Sequence, residues 1–218
     1  MGKKVAVILS GCGYLDGAEI TEAISTLISL SQHGLEYQCF APDIDVPEID
    51  HTSGKETGQK RNVLKESARI ARGNVLPLSE LQEKDFSAIV LPGGYGAAKN
   101  LSNFAEKGAS GEVNPQLKKS LEDFHASQKP IAAICIAPAA AVALSLGNKG
   151  VSVTIGNDEA TAGEIRKTGA EHINCKVDDF VVDTANKVIT TPAYMYEATP
   201  AQAFTGIQKS IQALAKMI

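Results

Sequence analysis

Apolar residues fall in short unbroken runs separated by polar, amphipathic stretches, and this alternation sets the reading of the chain. Residues 5–9 are a continuous aliphatic run, as expected of a strand buried on both faces of a parallel sheet. The glycine-rich turn Gly11-Cys12-Gly13-Tyr14-Leu15-Asp16-Gly17 follows. Ile20, Ala23, Ile24, Leu27 and Ile28 then recur at helical spacing, and Gly34 stops the helix. Residues 35–40 read as a second strand, which completes a βαβ unit. Residues 42–58 are polar and read as an irregular insertion. Helical spacing returns over 61–72 through Val63, Leu64, Ala68 and Ile70. Residues 88–91 form a third aliphatic strand that runs into Pro92-Gly93-Gly94-Tyr95-Gly96. An amphipathic helix follows over 115–127, with Leu117, Leu121 and Phe124 on one side. A fourth strand over 130–134 leads into Cys135 and an Ala-rich helix to Leu146. Residues 175–183 and 187–191 alternate weakly around 184–186 and suggest a hairpin, and 196–218 close the chain as a helix. No internal repeat or low-complexity tract interrupts the pattern. The expectation is one α/β domain over 1–218, a three-layer doubly wound fold with a mostly parallel sheet and helices on both faces.

Composition narrows the function. Hydrophobic residues make up 44%, enough to bury a core, so disorder as the main state is excluded. Lys and Arg number 21 against 25 Asp and Glu, a net charge of −4. A nucleic-acid binder would carry a basic face, and the absence of Trp removes another stacking platform. The longest apolar stretch, 131–146, is interrupted by Pro138 and is too short for a membrane span. Residues 1–11 have the outline of a short signal peptide but lack a cleavage-type tail, so a buried first strand is the better reading. Cys12, Cys39, Cys135 and Cys175 form no CxxC pair and read as reduced thiols in a cytoplasmic protein.

In an open α/β sheet, ligands bind beyond the carboxyl ends of the strands. Three unusual loops fall there: 11–17, 92–96 and the junction at Cys135. Ile131-Ala-Ala-Ile-Cys135-Ile-Ala-Pro138 turns a strand into a helix at a cysteine flanked by small residues, the arrangement of a nucleophile elbow. The helix dipole there favours thiolate; the alternative is a buried small hydrophobe. Backbone N–H groups of Gly93 and Gly94, with that of Ile136, are candidate donors to a developing oxyanion, although double glycine also makes plain turns. Glu19 and Glu22 share one face of the first helix and offer a carboxyl for proton transfer, although acidic residues favour helix N-termini in any case. Cys12 lies in a loop at the same sheet edge and is an accessory candidate. The glycines of 11–17, with Asp43 near the end of the second strand, also resemble a dinucleotide-binding fingerprint, the main rival from another class. His33, His51, His125 and His172 show no metal-ligand spacing, so no metal is expected; His172 is the candidate histidine for folding to bring to Cys135.

Together, the elbow at Cys135, Leu-Pro-Gly-Gly at 91–94 and the early Glu22 resemble the DJ/PfpI branch of the class I glutamine amidotransferase-like superfamily, whose fold is flavodoxin-like. In that branch a catalytic glutamate lies in the first helix, twelve residues before the glycine that ends it; the interval from Glu22 to Gly34 matches. The stretches starting at Ser10, Arg61 and Leu91 resemble the isoprenoid-biosynthesis-associated, glyoxalase-like ElbB type. This resemblance implies a cytoplasmic homodimer acting on a small dicarbonyl without glutathione or any cofactor. Glyoxal goes to glycolate, with action on glycated groups as a side activity. PfpI-type peptidases carry His directly after the cysteine, and this chain has Ile136, so a Cys–His dyad is missing. The mechanism expected is a hemithioacetal on Cys135, an oxyanion held by Gly94 and Ile136, and a proton moved between carbons by Glu22. A redox-sensing or chaperone-like stress protein built on the same cysteine is the alternative.

Overall fold

The computed structural model describes residues 3–218. In chain order the strands and helices are β1 (Lys4–Ile8), α1 (Ile20–Gln32), β2 (Glu36–Ala41), β3 (Asp45–Asp50), β4 (Lys55–Asn62), α2 (Val63–Ile70), β5 (Val75–Pro77), β6 (Ala88–Leu91), α3 (Tyr95–Lys99), α4 (Phe104–Lys107), α5 (Pro115–Ala126), β7 (Ile131–Ile134), α6 (Leu144–Leu146), β8 (Ser152–Val153), α7 (Glu159–Lys167), β9 (Glu171–His172), β10 (Val181–Asp183), β11 (Val188–Thr191) and α8 (Pro200–Met217). The aliphatic runs become the middle of a seven-stranded sheet in the order β10-β11-β7-β6-β1-β2-β5. Every pairing in it is parallel except β10 with β11.

Both faces of this sheet are covered, which is why its strands are apolar at every position rather than alternating. On one face Ile8, Phe40, Ile89, Leu91 and Ile131 pack against residues of α3, α5 and the segment after Cys135. On the other, Val7, Val90, Ala132 and Ile134 pack against α1, α2 and α8. The result is the expected three-layer, doubly wound α/β fold. Chain direction across the sheet reverses between β1 and β6. The loops leaving these two strands therefore part and open a crevice at the carboxyl edge.

The ends of the helices follow from capping. Asn114 accepts N–H groups of Gln116 and Leu117 ahead of Pro115, and Thr199 with Gln202 forms a capping box ahead of Pro200. The last helix accordingly starts at Pro200, not at 196. Asn62 caps α2 by accepting the Lys65 N–H, so Arg61 belongs to a strand instead of the helix expected over 61–72.

Three further expectations change. The segment 42–58 is not irregular: most of it forms the antiparallel pair β3–β4, which lies outside the main sheet. Its strands expose charged residues on both faces, so no alternation marks them. Polar contacts hold them, including Arg61 to Glu48 at 2.6 Å and Thr57 to Glu48 at 2.7 Å. In α1 the apolar positions form two stripes. Ala23, Leu27 and Leu30 are buried, while Ile20, Ile24 and Ile28 remain 49%, 37% and 44% exposed. The Ala-rich segment after Cys135 adopts π-helical geometry over Pro138–Ala143.

Candidate active site

Four loops at the carboxyl edge of the sheet build one site. The loop after β7 contributes Cys135, which sits at φ +62°, in the left-handed region that a non-glycine residue rarely occupies. The turn is held because the Cys135 N–H donates to the Thr191 carbonyl at 2.9 Å. The thiol ends up 7% exposed, with the N–H groups of Gly94 and Ile136 near enough to favour its anion.

The loop after β6 contributes two glycines with different duties. Gly93 is squeezed between the two reactive groups: a Cβ there would lie 2.5 Å from Cys135 Cβ and 2.7 Å from Glu22 Oε2. Its N–H donates to Glu22 Oε2 at 3.0 Å. Gly93 is therefore no oxyanion donor, contrary to the sequence reading, because its N–H is already spent on the carboxyl. Gly94 has φ +92°, and a Cβ there would meet the Glu19 backbone nitrogen at 2.4 Å. That close approach leaves no room for a side chain at this position.

Glu22 lies in the first turn of α1 and is fully buried. Its Oε1 accepts the Tyr194 N–H at 3.3 Å. This fourth loop, after β11, was missed in the sequence because the contribution is a backbone group, not a side chain. The signal lies in the backbone: Ala193 has φ +43° and no exposure, which aims the following N–H inward. Glu19 caps α1, accepting the Glu22 N–H at 2.7 Å, and its side chain lines the cavity over the thiol.

The electrostatics depart from the expectation of a thiolate made by a helix dipole. The helical turn begins directly after the cysteine, with the Ala139 and Ala140 N–H groups donating to the Ile136 carbonyl, yet its N-terminal end does not outweigh burial of the sulfur. Burial pushes the Cys135 thiol up, and charge on Glu22 pushes it the same way. Burial, with Glu19 nearby, also raises the Glu22 carboxyl from its ordinary 4.5 to about 8. Glu22 therefore holds its proton at neutral pH. In that form it no longer repels a thiolate and can donate a hydrogen bond to one, while the N–H groups of Gly94 and Ile136 stabilise the same anion. Thiol and carboxyl titrate as one coupled pair.

A cavity of about 640 Å³ opens above the pair, with Tyr14, Glu19, Tyr95, Ile136 and Tyr194 in its walls. Several other candidates are not brought there. Cys12 is half-buried beside Glu66, Arg69 and Arg61, away from the cavity lining, and burial raises its thiol. The N–H groups of its three glycines and of Leu15 are already engaged: Gly11 donates to Ser67 Oγ, Gly13 to the Ala18 carbonyl, Leu15 to His51 Nε2 and Gly17 to the Gly13 carbonyl. The glycines that would cradle a phosphate therefore offer no N–H to one. Asp43 accepts from Asn62 Nδ2, so the dinucleotide reading loses both of its supports. His172 accepts the Ile155 N–H and does not line the cavity. Among the described residues no group of three or more His, Cys, Asp or Glu is placed to hold a metal ion. Nor is any helix among them long and apolar enough to cross a membrane.

The sequence profile of the DJ-1/PfpI family matches residues 3–199. The chain belongs to that family. Among its relatives, the human glutamine amidotransferase-like class 1 domain-containing protein 3, mitochondrial, is 44% identical over 215 residues, spanning 94% of this chain and 79% of that one. The zebrafish (Danio rerio) ES1 protein, mitochondrial, is 34% identical over 209 residues, spanning 88% and 77%. An isoprenoid biosynthesis protein with an amidotransferase-like domain from Ehrlichia chaffeensis superposes with a TM-score of 0.93 at 38% identity, covering 99% of each chain. Within the DJ-1/PfpI family the chain is thus similar to the isoprenoid-biosynthesis-associated type. Drosophila melanogaster DJ-1beta shares the fold, with a TM-score of 0.55, 19% identity and coverage of 99% and 97%.

Proposed function

We propose that the protein is a cofactor-independent glyoxalase that converts glyoxal, and by the same steps methylglyoxal, to the hydroxy acid. One observation carries this reading: the buried Cys135 lies across Gly93 from a fully buried Glu22 whose two carboxyl oxygens accept the Gly93 and Tyr194 N–H groups, a setting that raises the carboxyl to about 8. In the first step Cys135 releases its thiol proton to solvent, the thiolate forms a bond to one aldehyde carbon as the carbonyl π-bond breaks, and the carbonyl oxygen takes up the proton from Glu22. The hemithioacetal oxygen lies against the N–H groups of Gly94 and Ile136 while charge develops on it. Glu22, now ionised, removes the proton from that carbon and returns it to the neighbouring carbon, while the hydroxyl proton of the hemithioacetal passes to the neighbouring oxygen, which leaves a thioester of the hydroxy acid. Water cleaves the thioester, releasing glycolate and restoring the thiol. The two carbons exchange oxidation level with each other, so no external oxidant is required. Ile136 follows the nucleophile and no histidine lines the cavity, so no Cys–His pair forms and Glu22, the carboxyl beside the sulfur, is the group that moves the proton. This favours isomerisation over peptide or amide hydrolysis.

The reading is tested by glycolate and lactate formation from the two dicarbonyls without glutathione, comparing wild type with Cys135→Ser and Glu22→Gln. Loss in both variants is the expected result. Turnover surviving in Cys135→Ser, or absent from the wild type, moves the assignment to a redox-sensing or chaperone-like protein. Burial of the thiol weighs against that second role, because thiolate character and exposure drive peroxide oxidation. The exposed stripe of Ile20, Ile24 and Ile28 supports assembly into a homodimer, tested by sedimentation of wild type against Ile24→Glu. Four free cysteines fit the reducing cytoplasm as its compartment, whereas the mitochondrial names of the animal relatives belong to those proteins.

A further inference from the structure

The cavity over Cys135 is far larger than the smallest dicarbonyl, and at about 640 Å³ it lies in the range of pockets that enclose drug-sized ligands. Its walls have an unusual charge pattern. Tyr14, Tyr95, Phe104 and Tyr194 contribute aromatic rings, and Glu19, Asp158 and Glu164 contribute carboxyls, while no Lys, Arg or His belongs to the lining.

Two of these carboxyls are fixed by backbone. Asp158 caps α7, accepting the Thr161 N–H at 2.8 Å. Glu164 Oε2 accepts the Ala109 N–H at 2.8 Å, and its Oε1 pairs with Lys167, which does not line the cavity. The room for Glu164 comes from Gly108, where a Cβ would fall 2.4 Å from Oε2. These hydrogen bonds hold both carboxyls below the usual carboxylate range, so both carry charge at neutral pH. The rings add the negative faces of their π-systems. Tyr95 already engages one ammonium this way, with Lys99 Nζ 5.3 Å from its ring centre.

Building on the glyoxalase reading, we propose that Asp158 and Glu164, together with the rings of Tyr14 and Tyr95, are specificity-determining. They make the cavity select a 2-oxoaldehyde with an apolar or aromatic body and a cationic group, and reject the anionic counterpart. The aldehyde reaches Cys135 at the floor, the body lies along Phe104 and Met195, and the ammonium or guanidinium faces the two carboxylates.

The test uses phenylglyoxals carrying para-trimethylammonium, hydrogen or para-carboxylate, with kcat/KM measured for wild type and for Asp158→Asn/Glu164→Gln. Asn keeps the helix cap and Gln keeps an oxygen for Ala109, so the pair of substitutions removes charge and spares the backbone hydrogen bonds, losing only the exposed contact of Glu164 with Lys167. The expected cation-to-anion ratio in wild type is about tenfold or more at low salt, falling severalfold in the double variant and also as added salt screens the carboxylates. A ratio of about one in wild type, or one that the double variant and salt leave unchanged, overturns the proposal. Binding of phenyltrimethylammonium against benzoate, followed by NMR, reads the same preference without chemistry. Cation preference in binding with no turnover of any phenylglyoxal would sink the glyoxalase reading alone. Turnover of all three without charge preference would sink the selectivity alone.

Discussion

Two cysteine-bearing, glycine-rich loops leave the same edge of the same sheet, and only one has the makings of a reactive centre. Around Cys135 the backbone N–H groups of Gly94 and Ile136 reach the sulfur, and a carboxyl stands opposite with both oxygens held by further N–H groups. Around Cys12 the N–H groups of Gly11, Gly13, Leu15 and Gly17 are consumed by Ser67, Ala18, His51 and Gly13. Cys12 faces a surface of paired charges, Glu66 with Arg61 and Arg69 and Arg61 in turn with Glu48, that neutralise each other. A thiol near the carboxyl end of a strand therefore says little alone. What separates the two loops is where the uncommitted donors point, and whether a carboxyl that keeps its proton lies within reach.

The contrast breaks most sharply if the two cysteines are exchanged for serine. Cys135→Ser is expected to lower glyoxal turnover by a factor on the order of 10³ or more, because the attacking sulfur is gone. Glu22→Gln comes next, with a loss of roughly 10²–10⁴ from removal of the acid–base group, read in the same assay. Gly93→Ala drives a methyl group between thiol and carboxyl, so a stability loss of about 1–3 kcal/mol by chemical denaturation should accompany a marked loss of turnover.

A smaller effect sharpens the electrostatic side. The folded-state value for Glu22 is about 8, above its ordinary 4.5, so between these pH values the folded chain keeps a proton that the unfolded chain has released. Stability held below pH 4.5 is thus lost as pH rises through this window, by an amount on the order of a few kcal/mol. Glu22→Gln has no such titration. Its stability relative to wild type should rise from pH 5 to pH 9 even if the amide leaves one N–H without an acceptor. A pH-independent difference would show that the carboxyl is ionised throughout. The smallest effect expected is that of Cys12→Ser, with turnover within about twofold of wild type, since surface substitutions away from such features change little. A larger loss would erase the distinction between the loops.

Much of this architecture was legible in the sequence. Strands buried on both faces announce themselves as unbroken aliphatic runs: β6, β7 and β11 lie within the segments expected, and β1 is shifted by one residue toward the N-terminus from the 5–9 expected. The elbow at Cys135 and the Pro-Gly-Gly loop were visible because strand, glycine and cysteine adjoin in the chain. Elements held by polar contacts were not. The β3–β4 pair carries no alternation, and short strands such as β8 and β9, two residues each, give periodicity nothing to work on. Within the site, the identities of Cys135 and Glu22 were readable, and the resemblance distinguished Glu22 from Glu19. The allocation of N–H groups was not readable. That Gly93 serves the carboxyl while Gly94 serves the sulfur depends on backbone torsions, and the donation from Tyr194 depends on a turn distant in sequence. The raised Glu22 carboxyl is likewise a product of burial, which no spacing reveals.

The account rests on Cys135 as the group that bonds to the carbonyl and Glu22 as the group that moves the proton. Mixing the Glu22→Gln protein with glyoxal, followed by rapid quenching and peptide mass spectrometry, tests both at once. The predicted result is a stalled glyoxal adduct on the peptide containing Cys135, with none on the peptide containing Cys12 and little glycolate released. Glycolate formation at the wild-type rate, or an adduct on Cys12 with Cys135 unmodified, would contradict it.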